Sequence, residues 1–185
     1  ADYFVFDNRS TAPDGIDWLR NVEALSFSGF VITVDSLLFN GVVRFGTSGD
    51  DHLVGGEYGD WLFGYEGSDT LEGATGGDRL DGDDGADSIV GGDGGDALNG
   101  NAGADTLDAG AGKDQLAGGD DDDLLLGGND DDRLAGESGA DTLYGGEGAD
   151  TLADIDGGNA LFGDGGADTL SGLGLLDGGD GNDLI

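Results

Sequence analysis

Cysteine and methionine are both missing from the 185 residues, and His52 is the only histidine. Without thiols there is no disulfide framework and no thiol chemistry, and softer metals find almost no ligands. Positive charge is nearly as scarce: six Lys and Arg stand against 41 Asp and Glu, for a formal net charge of −35. A chain of that sign repels nucleic acid and anionic membranes, which excludes both as partners. No apolar run approaches the roughly 20 residues of a membrane-spanning helix, so no membrane insertion is expected, and no stretch reads as a signal peptide. The chain starts at Ala1 without Met and stops at Ile185 inside a repeat, which reads as a fragment or processed piece.

Glycine is abundant instead, with 42 residues where an average share would give roughly 13. Residues 46–185 carry 39 of these glycines and 35 of the acids, against only Arg79, Lys113 and Arg133, a net of −32. High charge with much glycine is the composition of chains that bury too little apolar surface to offset ordering entropy. The exception is a chain whose acids are placed regularly and neutralised by a cation.

The placement is regular. From Gly46 to Ser171 the sequence divides into 14 uninterrupted nonapeptides, with Asp at the sixth position in 13 and Asn159 in the other. The eighth position is Leu in 13 and Ile89 in one, while Gly fills the first position in 12 and the fourth in 11. Disordered low-complexity sequence does not hold phase over that distance, so disorder is excluded for the cation-loaded chain. Each unit divides into a six-residue turn and a three-residue strand. The turn glycines permit positive φ and close approach of neighbouring backbones. Asp121 and Asp130, which replace Gly at position four, tolerate the left-handed region, and Tyr58 there is a departure. Two nonapeptides make one coil of 18 residues, and seven stacked coils form two parallel sheets whose Leu and Ile columns meet inside. The expected fold is all-β: a right-handed parallel β-roll, a form of β-solenoid. A helical solenoid fails because so many glycines cost about 1 kcal/mol each in a helix, and leucine-rich repeats need longer units.

A turn with one fixed carboxylate and several inward carbonyls is an oxygen cage. Ca²⁺ accepts six to eight oxygens in flexible geometry, whereas Mg²⁺ demands a tighter octahedron and holds its water. The candidate metal ligands are Asp51, Asp60, Asp69, Asp78, Asp87, Asp96, Asp105, Asp114, Asp123, Asp132, Asp141, Asp150, Asp168 and Asp183. Alternate units lie above one another, so Asp51 pairs with Asp69 and Asp60 with Asp78. Such gaps hold about a dozen Ca²⁺ ions, whose charge offsets most of the excess of negatives.

Stretches such as Gly91-Gly-Asp-Gly-Gly-Asp-Ala-Leu-Asn99 and Gly145-Gly-Glu-Gly-Ala-Asp-Thr-Leu-Ala153 match G-G-x-G-x-D-x-U-x. The sequence thereby resembles the RTX (hemolysin-type calcium-binding) repeats of secreted bacterial proteins, a known nonapeptide solenoid, over residues 46–185. Asp14 to Phe27 is similar to segments that close or separate repeat blocks in large RTX proteins. The resemblance implies a parallel β-roll, type I secretion from Gram-negative bacteria, and folding outside the cell or at its surface as calcium binds.

Residues 1–45 form the first expected domain, a small N-terminal β cap or inter-block spacer, with strands over Asp2–Phe6, Ala24–Phe27 and Phe30–Val34. The roll over 46–185 is the second. Its frame breaks at 172–177, read as a nonapeptide whose turn lost three residues while the strand Leu175–Asp177 survived. That break stacks on the irregular turn 154–159, which predicts a weak or missing calcium site on one side. Val54, Val90, Leu124, Leu126, Tyr144 and Phe162 line one sheet's outer face, a surface for lateral self-association or docking to other domains, or else scattered apolar residues. Thr70, Thr106 and Thr142 are interrupted by Ser88, Leu124 and Ala160, which argues against an ice-binding ladder. Ser48, Asp51 and His52 make no credible triad, His52 being a solvent-facing strand residue, so no enzymatic activity is expected. Three roles stay open: a structural surface protein such as an S-layer or adhesin, the secretion and folding module of an extracellular protease, lipase or epimerase, and a toxin's repeat domain. The long array and the separator-like N-terminal segment favour the first.

Overall fold

A computed structural model describes residues 41–185 and, before them, two short strands. In the unit Ala1–Phe39, Leu25–Phe27 pairs antiparallel with Phe30–Ile32, with Ser26 opposite Val31. The expected strand Asp2–Phe6 and most of the cap's other residues lie outside the described residues.

The unit Asn40–Ile185 is a parallel β-solenoid of about eight turns, and no helix occurs among the described residues. Before the break at 172–177, each strand of the roll pairs with those 18 residues away. Thr106–Ala111, for example, lies between Ser88–Asp93 and Leu124–Asn129, with Leu107 aligned to Ile89 and Leu125. Odd and even repeats thus build separate rows of strands, which join where Thr151–Gly166 runs without interruption from one row into the other.

The strands are twice the expected length. They run from position seven through position three of the next unit, as in Gln115–Asp120 and Arg133–Ser138, and the turn shrinks to positions four to six. The reason is backbone hydrogen bonding. Positions two and three keep their partners one coil away (Gly110 with Gly128, Ala111 with Asn129). The turns continue the ladder: Gly94 N–H donates to Ala111 O at 2.7 Å and Thr106 N–H to Asp87 O at 2.9 Å. A stack that leaves so few amides unpaired loses little by burying them.

Inside, the position-eight residues from Leu62 to Leu170 form one continuous core of residues no more than 3 % exposed, with Leu53 and Leu176 partly buried at its ends. Burying each such side chain contributes roughly 1.5–3 kcal/mol. The extra coil beyond the expected seven comes from the flanks. Upstream, Val43–Phe45 pairs with Trp61–Phe63, and Phe45 stacks on Phe63 with ring centroids 5.4 Å apart. Downstream, Leu175–Asp177 pairs with Ala160–Phe162, Asp180 with Gly165, and Leu184 with Thr169. The shortened unit at 172–177 therefore keeps its strand, as its sequence suggested, and the phase resumes after it.

Candidate metal centres

The sixth residue of each nonapeptide is carried inward by the turn. From Asp60 to Asp168 these aspartates are only 1–4 % exposed. One oxygen of each is spoken for: Asp69 Oδ1 accepts the N–H of Asp51 at 2.8 Å, Asp78 that of Asp60 at 2.7 Å, and Asp123 that of Asp105 at 2.8 Å. The ladder continues to Asp168, which accepts from Asp150 at 2.8 Å, and to Asp183, which accepts from Asp168 at 3.1 Å. The alternate-unit pairing expected of Asp51 with Asp69 and Asp60 with Asp78 is thus built into the backbone.

The second oxygen has no such partner. Oδ2 of Asp69, Asp78, Asp87, Asp96, Asp105, Asp114, Asp123, Asp132, Asp141, Asp150 and Asp168 is buried and accepts no hydrogen bond. Apart from Asp114, whose nonapeptide opens with Ala109, it points at the first glycine of its own nonapeptide. A Cβ built on Gly64 meets Asp69 Oδ2 and Gly82 O, and one on Gly118 meets Asp123 Oδ2 and Gly136 O, all closer than a real Cβ tolerates. The glycine at position one is there for that close approach. Positive φ belongs elsewhere: at position four, where Asp121 and Asp130 take φ of 76° and 75° as expected, and at position two, where Tyr65, Ala74 and Glu137 take 78°, 84° and 75°. Tyr58 does not enter the left-handed region, so the second turn is indeed irregular.

Each turn therefore gathers a carboxylate oxygen and a carbonyl oxygen from the next coil, both acceptors, with no donor between them. An ion moved into a protein interior costs several kcal/mol even after relaxation. The Leu beside it contributes only roughly 1.5–3 kcal/mol. Leu and Asp alternate one for one along the stack, so a charged ladder without compensation outweighs the core. The orphaned oxygens and the cradle over position one fit a hard, oxygen-seeking cation. Among the described residues no three Asp, Glu or His side chains converge, so backbone carbonyls must complete any coordination, which suits Ca²⁺.

Protonation is the other way to relieve the ladder, and the acidities show it. Burial pushes Asp96, Asp105 and Asp150 up to about 6 and Asp123 and Asp132 up to about 7; the ladder N–H opposes this, and neighbouring aspartates reinforce it. Asp78, Asp87, Asp114 and Asp168 move in the same direction for the same first cause.

The ends of the columns differ. Asp51 Oδ2 accepts Thr47 N–H at 2.6 Å and Thr47 Oγ1–H at 2.8 Å, and Asp60 Oδ2 accepts Gly56 N–H at 2.5 Å. These two candidate ligands already have donors, which position-six identity alone did not reveal. At the other end Asn159 keeps the ladder, accepting Asp141 N–H at 2.9 Å, but its Nδ2 donates to Asp156 O at 2.6 Å. The gap between turns 154–159 and 172–174, aligned through Asp154 with Gly172 and Asn159 with Gly174, thus lacks the ladder carboxylate found elsewhere. Repeat phase also missed Asp154. It stands at position one where glycine is the rule, yet it is 2 % exposed and its Oδ2 is unpartnered. His52 faces outward and meets Glu72 Oε1 at 2.9 Å.

Comparison with known families returns the model of the RTX calcium-binding nonapeptide repeat (4 copies), which matches residues 45–80, 72–107, 81–116, 90–125 and 117–152. No individual curated protein matches the chain.

Proposed function

The chain belongs to the RTX calcium-binding nonapeptide repeat family, and from that premise we propose that it is a structural segment of a secreted or cell-surface bacterial protein, folding outside the cell around about a dozen Ca²⁺ ions. The observation that carries this reading is the row of buried, partnerless Oδ2 atoms from Asp69 to Asp168. Those carboxylates, with position-one carbonyls of the next coil, are the proposed ligands, and Asp51, Asp60 and Asp183 close the columns. Bound Ca²⁺ supplies the positive charge that lets the ladder stay ionised in the interior. With no cation, like charges repel along both columns and the chain stays extended. Sites of extracellular modules, with Kd of about 10⁻⁴–10⁻³ M, fill only outside the cell, and their binding energy becomes folding energy.

No catalysis is assigned to this segment, since the Asp51 carboxylate is engaged by Thr47 and the His52 ring by Glu72. The stacked Tyr144 and Phe162 rings, 4.9 Å apart, with Val54 and Val90 each 38 % exposed on the same row, favour a lateral contact and hence a lattice or stalk. An accessory module of an extracellular enzyme or toxin is the second reading, favoured by the same calcium ladder. Equilibrium dialysis against labelled Ca²⁺ tests the first claim: about a dozen ions per chain at millimolar calcium is expected, and two or fewer overturns it. Leu126→Ser with Tyr144→Ser should abolish self-association in light scattering at unchanged calcium stoichiometry; an unaltered mass removes the lateral contact.

A further inference from the structure

One gap in the odd-repeat column carries a second carboxylate. Asp154 Oδ1 accepts the N–H of Asp156 at 3.3 Å, which fixes the side chain and turns Oδ2 back across the coil. There it reaches the space over Gly136, where a Cβ would meet Asp154 Oδ2 and Asp141 Oδ2 together. Elsewhere, as over Gly118, that space holds one carboxylate oxygen and one carbonyl oxygen. Asp141 and Asp154 are 1 % and 2 % exposed, and neither Oδ2 has a hydrogen-bond donor.

Two buried carboxylates that face each other without a donor repel, and one relief is a cation between them. The surroundings also remove the bland explanation that Asp154 merely replaces Asn159 in the ladder. Asn159 Oδ1 already accepts Asp141 N–H at 2.9 Å, so the ladder needs nothing from Asp154.

We propose that Asp141 and Asp154 together hold a Ca²⁺ ion between turns 136–141 and 154–159, with Asp154 supplying the carboxylate that other gaps receive from position six of the next coil and that Asn159 cannot supply here. The inference rests on the calcium reading above and deepens it. Affinity at oxygen sites rises with ligand charge, so the position that looks like a flaw in the repeat restores the charge that Asn159 removes from this gap. The neighbouring gap, where Asn159 meets the shortened turn, is the weak one.

Calcium titration of the full chain by calorimetry, in competition with a chelator, tests it with Asp154→Asn and Asp156→Asn. Both variants remove one charge from the same turn, but the Asp156 side chain is exposed and its hydrogen bond to Asp154 comes from the backbone N–H. Asp154→Asn should weaken one binding step by about tenfold or more, while Asp156→Asn leaves every step in place. Coincident isotherms for the two variants overturn the proposal, and the pair is then a shared-proton pair. Asp154→Gly, which restores the consensus residue, guards against misfolding: it should fold at millimolar calcium and lose the same binding step, and retention of that step likewise overturns the proposal. A wild-type chain that takes up no Ca²⁺ overturns the family-level reading itself, which separates the two failures.

Discussion

Replacing Asp123 by Asn separates the two duties of a ladder carboxylate. Its Oδ1 accepts Asp105 N–H at 2.8 Å, and an amide oxygen serves equally, as Asn159 shows at 2.9 Å. What disappears is the charge on Oδ2, which sits in the interior without a donor. In the calcium-free chain that charge is a cost. Burial, opposed by Asp105 N–H and reinforced by repulsion from Asp105 and Asp141, raises the carboxyl from 3.8 to about 7. At about 1.4 kcal/mol per tenfold change in acidity the penalty is ~4 kcal/mol at most, and solvent screening at the turn reduces it to roughly 2 kcal/mol. With calcium the sign reverses. Ligand at a hundred times its dissociation constant stabilises by about 2.7 kcal/mol per site, and the variant forfeits most of one such contribution. Far-UV circular dichroism in chelator should therefore show more β-structure for Asp123→Asn than for the wild type. Urea unfolding at saturating calcium should show the variant less stable by roughly 2–3 kcal/mol. A change of the same sign under both conditions refutes the reasoning.

Acid should partly replace calcium. Asp96, Asp105 and Asp150 stand near 6 and Asp123 and Asp132 near 7, against an ordinary 3.8. A carboxyl raised in the folded state contributes stability in full below 3.8 and loses it as pH rises through 6–7. The chelated chain should accordingly gain β-structure between pH 7.5 and 4, and a calcium electrode should record weaker binding over the same window. Ala74→Gly removes a Cβ held at φ 84° and should raise stability by about 1 kcal/mol in calcium-loaded urea unfolding. Leu107→Ala empties a fully buried position and should cost about 2–5 kcal/mol without changing the number of ions counted by dialysis.

What could be read from the residues was whatever chemistry demands at every turn. Position six supplies a side-chain oxygen, Asp in all uninterrupted units but the one with Asn159, and position eight fills the core, so both columns and the pairing of Asp51 with Asp69 were legible. The break at 172–177 was legible too, because Leu175–Asp177 kept its strand residues while its turn glycines were lost. Strand length was not. Gly64 and Gly118 look like turn residues, yet they lie in extended backbone, and they are glycine because a carboxylate oxygen occupies their side-chain space. Position two was hidden for the opposite reason. Tyr65, Ala74, Asp83, Asn101 and Glu137 share a left-handed backbone and no side-chain chemistry. Asp154 broke the pattern at position one, and only its burial and its approach to Asp141 show that the exception has a structural use.

The account stands on the claim that the buried aspartate ladder makes folding conditional on calcium. Circular dichroism of the chelated chain during calcium titration measures that condition directly. A chain that is largely unfolded at nanomolar calcium and gains its β signal cooperatively as calcium approaches the millimolar range is the predicted result. A chain already folded at nanomolar calcium and neutral pH, with no further change on titration, contradicts it.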